Sequence, residues 1–108
     1  MNPIPFNVGA PGINVTATTG ALTAVALPTS AGSNVLIYNE GSANVWVAIG
    51  ASGVAATLPT TGAGAKTCLP VPAGSIQVFT RDPANDLFIS TITRASTANI
   101  TVCVGDGV

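Results

Sequence analysis

The chain has 108 residues, a net charge of −1, 47% hydrophobic residues, only 6% charged residues and no histidine. A soluble domain ordinarily carries about 25% charged residues, so the outer faces here must be built from Thr, Ser, Asn, Gly and Ala, a surface that hydrates weakly and repels its neighbours little. The length suits one domain able to fold without metal or disulfide, while three basic residues exclude a phosphate-binding patch and no run approaches the ~20 apolar residues of a membrane-spanning helix.

Residues 1–12 contain Pro3, Pro5, Pro11, Gly9 and Gly12, which oppose regular hydrogen bonding and suit an extended arm that orders against a neighbour. Pro3, Ile4, Pro5 and Phe6 are its candidate contact residues. The opening stretch has neither a basic segment nor an apolar run of signal length. The expectation is a chain made and kept in the cytoplasm, or carried out inside a larger particle.

From residue 13 to the end the pattern changes to short β-rich runs, broken by turn residues about every ten positions, as in an all-β sandwich. Runs 13–18 and 22–27 are light in large residues and are expected to form a peripheral hairpin through Thr19, Gly20 and Ala21. Runs 34–39 and 44–50, joined by Glu40, Gly41, Ser42 and Ala43, carry the strongest apolar content and are expected to form the central hairpin. Val45, Val47 and Ile49 share one face by the two-residue period, leaving Trp46 on the other, to fill a second layer or to meet another subunit.

Residues 51–65 are small, Gly- and Pro-containing, and read as a long contact loop with one extended piece over 54–58, whose Val54 and Leu58 are further candidate contact residues. Next come 66–71, marked as an edge strand by Pro70, and 75–80, expected to bury Ile76 and Val78. Runs 87–92 and 99–104 follow, with Leu87, Ile89, Ile100, Val102 and Val104 alternating with polar or smaller residues. The sum is about eight strands linked largely as hairpins, and an antiparallel two-sheet β-sandwich, jelly-roll or immunoglobulin-like, buries them.

The residues offer little to chemistry. Without histidine the usual general base near neutral pH is missing, so the expectation is a non-enzymatic protein with no cofactor and no metal. Asp82 and Asp86 supply two carboxylates where Ca²⁺ takes six to eight oxygen ligands, and Asp82 before Pro83 reads as a turn starter. Cys68 and Cys103 lie far apart in sequence, without metal-ligand spacing, and are either free thiols or a pair across the sandwich. Tyr38 and Trp46 pack in the core or, alternatively, stack on a sugar or receptor ligand.

Several stretches resemble small β-rich virion proteins of tailed bacteriophages: Tyr38-Asn39-Glu40-Gly41-Ser42, Asn44-Val45-Trp46-Val47-Ala48-Ile49-Gly50, the Leu69-Pro70-Val71-Pro72-Ala73-Gly74 entry into Ser75-Ile76-Gln77-Val78-Phe79, then Leu87-Phe88-Ile89-Ser90, Thr97-Ala98-Asn99-Ile100-Thr101-Val102 and a terminal Gly105-Asp106-Gly107. The resemblance covers about two thirds of the chain. It implies a capsid decoration, or cement, protein on the virion surface, often a trimer, bound between major capsid protein subunits. Low charge, a proline-rich arm and the lack of a catalytic signature agree with that implication, with neither nucleic acid nor membrane as partner. A carbohydrate- or receptor-binding sandwich and a tail or connector component are the alternatives.

Overall fold

The computed structural model describes residues 7–8, 12–20, 24–29, 32–58 and 69–106. Among them the regular structure is all strand: β1 (Asn7–Val8), β2 (Ile13–Ala17), β3 (Val25–Ala26), β4 (Asn34–Asn39), β5 (Val45–Gly50), β6 (Leu69–Val71), β7 (Ile76–Thr80), β8 (Phe88–Thr93) and β9 (Ala98–Asp106). The first sheet runs β2-β9-β4-β7, with β1 continuing beyond β2 along the same side of β9. The second runs β3-β8-β5-β6, and every pairing in both is antiparallel.

Between β2 and β9, only the β5–β6 link joins neighbours within one sheet, and each other connection crosses to the opposite sheet. That wiring is the double Greek key of a jelly roll. The expected hairpins 13–27 and 34–50 therefore do not exist. β2 pairs with β9 and β3 with β8, while β4 lies between β7 and β9 and β5 between β6 and β8. Turn residues at a strand end show that the chain reverses, but not which sheet receives it.

Asn39 is the device that sends the chain across after β4. It is fully buried; its Nδ2 donates to Ala43 O at 2.8 Å and Val71 O at 2.9 Å, and its Oδ1 accepts from Gly41 N at 2.9 Å. One side chain thus ties β4, the crossover and the end of β6. The return from β6 to β7 turns at Gly74, whose φ of 72° only glycine adopts without strain. At the other end of the sandwich, Gly32 lies against β9. A Cβ there would sit 2.2 Å from Gly105 O, so the close approach admits no side chain.

The core is the space between the sheets, filled by Val15, Ala17, Val35, Ile37, Val45, Val47, Val71, Ile89, Ile100, Val102 and Val104. The β-branched inward positions fit the pleat, and fully burying each such Val or Ile contributes about 1.5–3 kcal/mol. Val45 and Val47 point inward as the period requires, with Ile49 half-buried on the same face.

β7 reverses its expected face. Ile76 is 57% exposed and Val78 half-buried, because the register sets Ile76 opposite Tyr38 and Val78 opposite Leu36 on the outside. Phe79, opposite Val35, packs inward instead. Pro70 does lie on an outer strand, β6. Two residues of the expected arm, Asn7 and Val8, pair with Asp106 and Gly105 of the same chain, whereas Pro3, Ile4, Pro5 and Phe6 fall outside the described residues.

Candidate docking surfaces

The outer face of the first sheet is built by the even-numbered residues of β4 and β7 and the odd-numbered residues of β9. The register lays Tyr38 between Ile76 and Thr101, and Leu36 between Val78 and Cys103. Tyr38 and Ile76 are two of the large exposed apolar side chains, at 40% and 57%. Glu40 borders the face, and its carboxylate accepts from Asn14 Nδ2 at 2.9 Å and Thr101 Oγ1 at 2.5 Å. Thr16 Oγ1 donates to Asn99 Oδ1 alongside. The face is thus an apolar row bordered by amides and hydroxyls, with the Glu40 carboxylate engaged by two hydrogen bonds.

Trp46 lies on the outer face of the second sheet, opposite Pro70 and Ile92, with the Arg94 guanidinium 5.3 Å above its ring centre. A groove of about 370 Å³ opens beside it, bordered by Ser42, Asn44 and Ser96. Asn44 Oδ1 is engaged by Ala73 N at 2.9 Å, and Ser96 holds a φ of 64° while its carbonyl accepts from Thr93 Oγ1 at 2.6 Å. Tyr38 and Trp46 belong to opposite sheets and point away from each other, so they form no common stacking platform.

A second groove, of about 360 Å³, is lined by Leu27, Pro28, Pro83, Leu87 and Phe88 around Arg81. Arg81 is buried, donating from Nε to Gly32 O at 2.9 Å and from Nη1 to Asp86 O at 3.1 Å. It serves as a brace between the loop before β4 and the loop before β8.

The expected contact loop behaves differently from a free loop over its described part. Residues 51–58 fold back on the second sheet, where Ala56 is buried and its N–H donates to Ser90 Oγ at 2.9 Å. Val54 and Leu58 are half-buried there, with Val54 close against Gly50. Residues 59–65 lie outside the described residues. The extended piece over 54–58 is thus an overlay on β8 and not a strand.

Asp82 and Asp86 close their own turn. Asp82 accepts from Ala84 N at 3.0 Å and Asn85 Nδ2 at 2.7 Å, and Asp86 accepts from Asp82 N at 2.9 Å. The Ala84 amide, then the Asn85 amide, hold the Asp82 carboxyl below its ordinary pKa. No group of three or more His, Cys, Asp or Glu side chains gathers among the described residues. Cys103 carries a free, half-buried thiol, and Cys68 lies outside the described residues.

Sequence reasoning missed the Tyr38–Ile76 row and the Arg94–Trp46 stack, since both depend on pairings across sequence-distant strands. The signal within reach was the alternation in β4, where Tyr38 stands two residues from Leu36 and out of phase with Val35 and Ile37. Compared with known proteins, the chain matches no family model, no curated protein and no solved structure.

Proposed function

We propose that this protein is a non-enzymatic structural component of a tailed-phage virion, a decoration protein that sits on the capsid and reinforces it by binding between major capsid protein subunits. The observation that carries the reading is the outer face of the first sheet, where Leu36, Tyr38, Ile76 and Val78 form an apolar row whose bordering carboxylate, Glu40, is held by hydrogen bonds from Asn14 and Thr101. Tyr38 and Ile76 are exposed side by side with Leu36 and Val78 half-buried next to them, and contiguous apolar exposure of this kind suits an interaction surface. On a chain with 6% charged residues its attraction is apolar and backbone-mediated, and varies little with salt. The jelly-roll wiring supports the reading because capsid proteins use it widely, although the same fold serves lectins and cupins.

In this reading the contacts to the capsid come from the apolar row, joined by residues 2–6 and by the exposed positions 51–53 of the loop 51–65. Many copies on one lattice gain avidity without tight single-site binding. Adding the purified protein to phage heads assembled without it should raise the temperature at which the heads release their DNA. Heads that release DNA at the same temperature with saturating protein would refute reinforcement. A protein that instead forms rings or tubes by itself would belong to the tail or connector.

A further inference from the structure

We propose that β7 is a pairing edge for a second copy of this chain, joined antiparallel across a two-fold axis at Val78 so that the first sheets of two copies become one. The hydrogen-bond ladder sets which groups are free to do this. Asn39 N donates to Ser75 O at 3.0 Å and Arg81 N donates to Ser33 O at 2.7 Å, which fixes residues 75, 77, 79 and 81 as those facing β4. The N–H and C=O groups of Ile76, Val78 and Thr80 therefore point out of the sheet, and among the described residues they have no partner.

Outer strands invite pairing, and proteins ordinarily blunt them. Here β3 is two residues long, and β6 contains Pro70. β2 carries Asn14 and Thr16 on its outward positions, and the chain just after it is drawn to the second sheet, where Thr93 N donates to Thr18 O at 2.7 Å. β7, Ile-Gln-Val-Phe-Thr, is five residues long and contains neither proline nor a charged residue. It offers an uncharged edge beside the exposed Tyr38–Ile76 pair.

A second copy fits because the outward set is symmetric about its middle residue. A two-fold axis at Val78 places Val78 opposite itself and Ile76 opposite Thr80, so each copy's donors meet the other's acceptors in an isologous contact. Charge permits it as well: the flanking Arg81 falls opposite Ser75 and Asp82 opposite Gly74, leaving no like charges face to face. The apolar rows of the two copies then run on as one outer face. This symmetry is two-fold, unlike the trimer implied by the virion resemblance, and it does not depend on head binding.

The test is sedimentation equilibrium of the full chain and two double variants over a wide concentration range. The wild type should approach twice its 10.6 kDa mass. Ile76→Lys with Thr80→Lys sets lysine opposite lysine at both ends of the paired strands, whereas Ile76→Lys with Thr80→Glu sets lysine opposite glutamate. The lysine–glutamate variant should dimerise about tenfold more tightly than the lysine–lysine variant. Positions 76 and 80 are both exposed, and cooperative urea unfolding of each variant verifies its fold. A wild type that stays monomeric, a trimer, or equal dimerisation of the two variants would overturn the assignment.

Discussion

Replacing Asn39 with alanine tests the reasoning about the crossover most sharply, because one side chain there completes three hydrogen bonds in a fully buried position. Each such bond contributes a net of about 1 kcal/mol, and Val71, whose carbonyl would lose its partner, is itself fully buried. The expected loss is about 3–4 kcal/mol, a large part of the 5–15 kcal/mol that holds a domain of this kind together. With an unfolding entropy of about 2.1 cal/mol/K per residue, a 3 kcal/mol loss lowers Tm by about 13 °C. Trp46 is the sole tryptophan, so urea unfolding followed by its fluorescence reads the change directly. Asn39→Asp keeps the acceptor for Gly41 N but turns a carboxylate toward Ala43 O and Val71 O. It should cost at least as much at neutral pH and recover partly on acidification. A loss below about 1 kcal/mol for Asn39→Ala would refute the role given to this residue.

Three further outcomes follow from single sites. Thr91 is fully buried between the sheets and its Oγ1 has no partner among the described residues, so Thr91→Val should stabilise by about 1 kcal/mol in the same urea assay. Gly32→Ala would drive a methyl group into the Gly105 backbone, and thermal unfolding should show a loss of about 3 kcal/mol or more. Asp82 should titrate, by carboxyl NMR, below the ordinary aspartate value, and Asn85→Ala should raise its midpoint. Because the folded-state pKa is the lower one, Asp82 favours the folded state above the unfolded pKa, and this contribution disappears as the pH falls through the depressed value. Its full exposure keeps that contribution small.

The strands were legible because their composition is nearly uniform in character: β-branched runs separated by Gly, Pro, Asn and Ser. Runs 34–39, 44–50 and 87–92 coincide with β4, β5 and β8 to within a residue. Alternation located Val45, Val47, Ile100, Val102 and Val104 in the core. Connectivity was not legible, since Glu40-Gly41-Ser42-Ala43 can close a hairpin or cross between sheets. The deciding contact, Asn39 to Val71, spans 32 positions. The face of β7 was misjudged for a related reason: Ile76, Val78 and Phe79 are all apolar, and a strand with apolar residues on both faces takes its orientation from its partner. The docking row inherited that error. Ile76 counted as core on sequence grounds became, through its register with Tyr38, the most exposed large apolar side chain among those described.

Co-sedimentation of the purified full chain with tailed-phage heads assembled without it is the most direct measurement of the central claim. The account predicts saturable binding at a fixed copy number per major capsid protein subunit, insensitive to moderate salt and lost on Tyr38→Lys. Protein that stays in the supernatant at every concentration, while its fold remains intact, would contradict the claim.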